Sequence, residues 1–403
     1  MAPLIEFDAS ASGLERWFAE LGSPPRCDLA RSGAPPLPVG AVLALGGSAA
    51  RKQFLRLPLE YGDPAGSLRL RQAIVGAGAA RHVDEVLVTT GAAEALLLAA
   101  AAMLRPGDRV RVATPAYEGL VRSTAATGGE VEPAPVWAAP SALLDPSALM
   151  RPGAVRAVIV NTPHNPTGLV WPRDLVDELA RWCADRDARL LVDEVARGTL
   201  LAGAPSMSSL PEFAEGRVVV VGDVSKAYGL GGLRVGWLTS ADRDLIRRAA
   251  TTKDLTSLGG AAPSEFLAAL ALEHRGVLAE RVAATARRNR RRLRDWVRGL
   301  DGAWCAEPED GLVAFPRLPA GVDDHVLAAR LRSQHQVAVV PGSLFGRAGH
   351  VRIALAQEPR LLDTGLKALT VTIGDAMRER RPSSALHPAW ACAGASGVTA
   401  EPG

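Results

Sequence analysis

Val155–Asn161, Leu190–Asp193 and Val218–Gly222 are short apolar runs, rich in β-branched residues, with almost no polar residue alternating through them. A strand that reads this way is buried on both faces, as happens inside a parallel sheet with helices packed on each side. Glu85–Thr89 and Arg109–Ala113 read as further strands. Helical patterns fall between and around these runs at Leu68–Ala80, Ala92–Leu104, Leu175–Arg186 and Arg243–Thr252. The alternation predicts an α/β fold with a mainly parallel sheet. Beyond it the pattern changes. Glu265–Asp301 reads as helices, the second long and arginine-rich, and Gly311–Pro316, Val337–Val340 and His350–Ala354 read as short strands with helices between them. That run is more like a smaller α+β domain.

The expected organisation is an N-terminal segment over 1–44 packing with the small domain, a large domain over 45–285, a small domain over 286–380, and a loose tail over 381–403. A length of 403 residues suits two domains. The N-terminal segment holds an amphipathic stretch, Leu14–Leu21, and then the Pro/Gly-rich SGAPPLPVG. Lys plus Arg number 46 against 43 Asp plus Glu, so no basic footprint for nucleic acid is expected. The densest basic run, Arg287–Arg294, reads as the solvated face of a long helix. Cys27, Cys183, Cys305 and Cys392 show no metal-ligand spacing and suit a reducing cytoplasm. The start, MAPLIEFDAS, does not read as a signal peptide. Ala92–Leu104 contains Glu94 and falls short of the ~20 apolar residues of a membrane span, so no membrane partner is expected.

Four strings carry chemistry. In Val218–Trp237, VVVVGDVSKAYGLGGLRVGW, an apolar strand delivers Ser225-Lys226 to a glycine-rich turn, with Arg234 beyond it. A lysine leaving a buried strand needs a partner or a covalent role. It can form an imine with the aldehyde of pyridoxal 5′-phosphate and later serve as a general base. Arg234 can grip a phosphate with its forked guanidinium. In Val158–Gly168, VIVNTPHNPTG, amides and His164 gather at a strand end, the edge where open α/β sheets bind ligands. In LLVDE, Asp193 follows its strand directly and can face the pyridinium nitrogen of the cofactor. In VTTGAAE, small residues open an apolar helix whose free N–H groups suit a phosphate. Each string also has a plain structural reading: a surface lysine, a Pro-Thr-Gly turn, a helix-capping aspartate, an ordinary helix start.

Taken in order, NPTG, the DE after a strand, and SKAYGLGGLRVGW resemble the class I/II aminotransferases of the aspartate-aminotransferase fold, from about Tyr61 to Ala356. The resemblance implies Lys226 as the Schiff-base lysine and α-proton shuttle, Asp193 at the ring nitrogen, and Asn165 at the 3-oxygen. It also implies Tyr117 stacked on the ring, with Gly91, Ala92, Ala93, Arg234 and Ser225 around the phosphate. Arg352 is expected to clamp the substrate's α-carboxylate, with Gly33 beside the substrate. Tyr61 is expected to reach a neighbouring subunit's phosphate in a homodimer with shared sites.

Two positions depart from the family pattern. Ala196 stands three residues after Asp193, where a tyrosine is usual, and Asp223 stands three before Lys226, where a serine often contacts phosphate. The N-terminal FDASASGLERWF, the stretch DLARSGAPPLPVGAVLAL and the string GDVSK are similar to cyclases of the capreomycidine-synthase type. That likeness implies elimination and ring closure on a hydroxylated arginine, with Asp223, Glu118 or Asp8 available to a cationic guanidinium. An ordinary aminotransferase acting on a free α-amino acid is the alternative. A cofactor-binding regulator or scaffold fits less well, because only about 44 residues precede the sheet domain and they hold no basic helix pair.

Overall fold

The computed structural model describes residues 13–199, 206–307 and 311–379. Its strands, in chain order, are β1 Cys27–Asp28, β2 Val86–Thr89, β3 Arg109–Thr114, β4 Glu130–Pro135, β5 Ala157–Asn161, β6 Arg189–Asp193, β7 Val218–Asp223, β8 Gly236–Thr239, β9 Val313–Ala314, β10 Val337–Ala338, β11 Val340–Pro341 and β12 Val351–Ala354. Seven of them form the main sheet in the order β2-β8-β7-β6-β5-β3-β4. Only β8 runs against the rest of it.

The continuous apolar runs are explained by what lies above and below them. Val158, Val160, Leu190, Val192, Val218 and Val220 pack on one face with Val176, Leu179 and Phe213. Ile159, Leu191, Val219 and Val221 pack on the other, against the helix Gly91–Met103. Two sheet strands lie outside the sequence reading. In β4, EVEPAP, polar residues and two prolines mask the strand, and its place at the sheet edge is where proline is tolerated. In β8, GWLT continues directly from the glycine-rich turn and hairpins back on β7.

The remaining strands make a three-stranded antiparallel sheet, β11-β12-β9, and the parallel pair β1-β10. Through β1 the N-terminal segment joins the smaller part of the molecule. The pattern over Glu265–Asp301 is two helices, Ala262–Glu273 and Arg275–Arg298. The first is buried continuously from Glu265 to Leu272, whereas the second is amphipathic and arginine-rich. The expected boundary at 285/286 falls inside the second, which is continuous. Asn289 on that helix is fully buried and donates from Nδ2 to the carbonyls of Leu355 (2.9 Å) and Gln357 (2.6 Å), just beyond β12. Gln357 in turn donates to the carbonyl of Gly33 (3.4 Å). The long helix thus fixes the end of the strand that carries Arg352. No described helix is long and apolar enough to cross a membrane.

Replacing Asn289 by Ala strands two carbonyls, one of them deeply buried, so unfolding free energy should drop by about 1–3 kcal/mol. Chemical denaturation monitored by circular dichroism checks this. An unchanged midpoint would show that the tether contributes nothing.

Candidate active site

Strand ends β5, β6 and β7 lie side by side, with Asn161 paired to Asp193 and Asp193 to Val221. Beyond β7 the chain bends sharply. The Asp223 Oδ1 accepts the N–H groups of Ser225 (2.9 Å) and Lys226 (3.4 Å), a side-chain turn that carries Lys226 off the sheet edge. This commits one oxygen of Asp223 to the backbone. Asp223 is buried, and desolvation raises its pKa against the opposing pull of Lys226. The carbonyl of Lys226 accepts the N–H of Ala34 (2.8 Å), so the N-terminal segment lies across the lysine. Gly33 permits that approach: a Cβ there would stand 3.3 Å from the Ser225 carbonyl oxygen and 3.6 Å from the Lys226 Cα.

Asp193 is 5% exposed, and its Oδ1 accepts the Val195 N–H at 3.0 Å. Burial pushes its pKa up to about 7; the Val195 N–H and Lys226 oppose the rise, and Asp223 and Glu194 add to it. Such a carboxyl is poised for a cationic partner that the protein alone supplies only in part.

On the next strand ends, the helix Gly91–Met103 begins at a glycine with φ +78° and no side-chain cap. Arg234, itself left-handed at φ 52°, lies over it, and a Cβ on Gly91 would come within 2.3 Å of its Nη2. Arg234 Nη1 donates to the Gly231 carbonyl (3.1 Å). The Ser225 Oγ is buried with no hydrogen-bond partner among the described residues. An uncapped helix start at Gly91, Ala92 and Ala93, an adjacent guanidinium and an orphaned hydroxyl fit a phosphate group. Together with Asp193 and Lys226 they fit pyridoxal 5′-phosphate.

Arg352, on β12, reaches the same edge from the small sheet and is 1% exposed. Its Nη1 donates to the Asn165 Oδ1 (3.0 Å), its Nη2 donates to the Ala30 carbonyl (2.7 Å), and the group sits 4.9 Å from the centre of the Phe345 ring. Desolvation lowers its pKa to about 10, with Glu15, Tyr117 and Asp28 acting the other way. With its carbonyl oxygen held by Arg352, Asn165 presents the Nδ2 group as a donor. Tyr117 follows β3, and its hydroxyl donates to the Glu15 Oε1 (3.2 Å). Gly119 leaves room for its ring, since a Cβ there would lie 2.3 Å from the Tyr117 Cε1. Burial and the charge of Glu15 raise the phenol's pKa, so it stays a donor.

Other expected residues have different surroundings. Glu118 Oε1 accepts the Glu15 N–H (3.1 Å), and its Oε2 lies 3.7 Å from Arg122, so it anchors the helix Leu14–Glu20. Glu194 accepts from Ser206 Oγ and the Met207 N–H, both at 2.7 Å, and pairs with Arg197 at 3.0 Å. His164 is fully buried against Thr167 Oγ1 (2.7 Å), and desolvation lowers its pKa to about 4, so it is neutral at physiological pH. Tyr61 is 92% exposed. Asp8 lies outside the described residues. The sequence reading missed Glu15, which in LERWF reads only as a first-turn acid suited to a helix dipole.

Two predictions follow from the cofactor-facing side chains. Asp193→Asn should weaken pyridoxal phosphate binding about 10- to 100-fold, the equivalent of ~1.5–3 kcal/mol for a charge-assisted hydrogen bond. The native Asp193 pKa lies near 7 against an ordinary 3.8. The cofactor-free protein therefore gains stability from this group at low pH and loses it as pH rises from 3.8 toward 7. Cofactor binding should accordingly tighten from about pH 6 to about pH 8 relative to the Asn variant. Absorbance titrations at both pH values test this; parallel pH profiles for the two proteins would refute the assignment.

The family description "Aminotransferase class I and II" matches residues 56–369. Capreomycidine synthase of Streptomyces vinaceus is 36% identical over 92% of this chain and 96% of its own length. Among solved structures, a PLP-dependent aminotransferase from Streptococcus suis superposes with a TM-score of 0.82 at 25% identity, covering 90% of this chain and 96% of that one. The PLP-dependent cyclase OrfR superposes with a TM-score of 0.81 at 27% identity, covering 93% of this chain and all of its own. Strand-end lysine, buried aspartate and phosphate cradle agree with these matches, and the chain is a PLP-dependent enzyme of the aminotransferase class I and II family.

Proposed function

We propose that the enzyme closes a β-hydroxylated arginine into a cyclic guanidino amino acid with loss of water. The likeness to capreomycidine synthase over nearly the whole chain carries this reading, and the likeness to the cyclase OrfR supports it. In the net reaction the Cβ–O bond breaks and a bond from Cβ to a guanidine nitrogen forms. The hydroxyl departs with one guanidine proton as water, and no oxidant or keto acid takes part.

When bound, pyridoxal 5′-phosphate supplies an aldehyde that takes the substrate's amine and a ring that draws electrons from Cα. The chain's residues do the rest. Arg352, braced by Asn165 and the Ala30 carbonyl, binds the α-carboxylate and sets the substrate's orientation. Lys226 Nζ removes the proton at Cα and returns it after ring closure. With the cofactor bound, Tyr117 would cover it and keep water out, and Asp193 would offer its carboxylate to the ring nitrogen. Ala196 leaves out the phenol usual in the family beside the 3-oxygen, which removes one proton-holding group from the transaminating arrangement.

In the same reading residues 45–285 carry the cofactor, 286–380 form the small domain, and the enzyme works in the cytoplasm. Two copies pair so that the exposed Tyr61, in a stretch that also exposes Leu55 and Leu59, reaches the partner subunit's phosphate cradle.

Incubation with 3-hydroxyarginine should give a product lighter by one water and no keto acid, read by mass spectrometry. Lys226→Ala should lose the visible cofactor band and slow turnover by ~100- to 10,000-fold. Accumulation of keto acid and aminated cofactor with ordinary amino acids would replace this reading with transamination. Tyr61→Phe should weaken cofactor binding although the side chain is exposed in the protomer; unchanged binding, or a monomer in sedimentation, would exclude the shared site.

A further inference from the structure

The helix Leu14–Glu20 is short, yet several contacts lock its first turn against the active site. Leu14 is buried in the main core. The Glu118 carboxylate accepts the N–H of Glu15. Gly13 makes that approach possible, because a Cβ there would lie 1.7 Å from the Glu118 Oε2. The Glu15 Oε1 accepts the Tyr117 hydroxyl, and Tyr117 is the residue proposed above to cover the cofactor ring. Its Oε2 accepts no hydrogen bond among the described residues, and no described Lys, Arg or His lies within ion-pair distance of Glu15. Glu15 is thus an exposed carboxylate with one oxygen on the Tyr117 hydroxyl and the other open. Its charge is felt both at Tyr117 and at the buried Arg352.

We propose that Glu15 is the specificity-determining residue that receives the cationic side chain of the substrate. The inference rests on the assignment of Lys226 and Arg352 to the substrate's amine and carboxylate. With those two ends fixed, the substrate side chain is left to extend along Tyr117, whose hydroxyl orients the Glu15 carboxylate. One oxygen of Glu15 is steadied by the phenol, and the other remains for a guanidinium N–H, so a cation is bound and an acidic side chain is repelled. Glu118 acts through Glu15: it positions the helix and does not touch the substrate. The division of labour explains why two adjacent acids near the site have different partners.

Binding can be separated from turnover by titrating the visible absorbance of the holoenzyme with L-arginine and with L-citrulline, its neutral ureido isostere. The wild type should bind arginine about tenfold or more tightly than citrulline. Glu15→Gln should bring the two affinities together by weakening arginine alone. Glu118→Ala should reduce the preference, and Glu118→Gln, which keeps the accepting oxygen, should restore it. A preference for arginine that survives Glu15→Gln overturns the inference, as does a wild type that binds both amino acids equally. If hydroxyarginine yields a keto acid while Glu15→Gln still erases the preference, the cyclase reading fails and the role of Glu15 stands.

Discussion

Two carboxylates, Asp193 and Asp223, are buried at neighbouring strand ends, and the rest of the site is arranged around them. Removing such groups from water is costly: burial raises the pKa of both, and the charge of Asp223 raises that of Asp193 further. The chain meets the cost differently at each position. Asp223 is consumed locally, holding two backbone N–H groups and thereby fixing the bend that projects Lys226. Asp193 takes one N–H and keeps the remainder of its accepting capacity for a ligand. A cation beside Asp193 would offset the cost of its burial.

The second constraint is that the Arg352 end of the site is not built by the main sheet. Arg352 belongs to the small antiparallel sheet and meets Asn165 of the main sheet's loop and Ala30 of the N-terminal segment through its two terminal nitrogens. A fully buried arginine is tolerated because those oxygens and the Phe345 ring replace water. Asn289 holds the chain just past β12 to the long helix, and the Gly33 carbonyl takes a bond from Gln357. The N-terminal residues are thus part of the site, crossing over Lys226 with a glycine at the closest approach. Relative motion of the two parts would change the Arg352 to Lys226 geometry directly, which links domain arrangement to substrate orientation.

Within this family the fold sets the cofactor chemistry, and the reaction outcome depends on a few groups around it. Here a phenol position is alanine, a phosphate-side serine is replaced by the turn-forming Asp223, and Glu15 stands beside Tyr117. Those differences concern proton placement and side-chain charge, the two properties that separate ring closure on a cationic substrate from general transamination.

Much of the large domain was legible in the residues themselves. Strands buried on both faces must be apolar throughout, so β5, β6 and β7 could be read as sheet interior, and their polar terminal residues could be read as a ligand edge. The motif order placed Asn165, Asp193, Lys226 and Arg234 by resemblance. Edge strand β4 was masked by prolines, and β8 was hidden inside a motif read as a turn, because pairing partners far apart in sequence decide strand identity there. The fates of Asp223, Glu118 and Glu15 were also illegible. A carboxylate's role depends on which donors surround it, and those donors come from segments 100 or so residues away in the cases of Glu15 and Glu118. The sequence by itself determined the interior strands of the sheet and, by resemblance, the cofactor, since burial periodicity and strand-end motifs are written in consecutive residues. Only the tertiary structure decided which acid caps a turn, which anchors a helix and which meets the Tyr117 hydroxyl, because hydrogen-bond partners are set by packing in space.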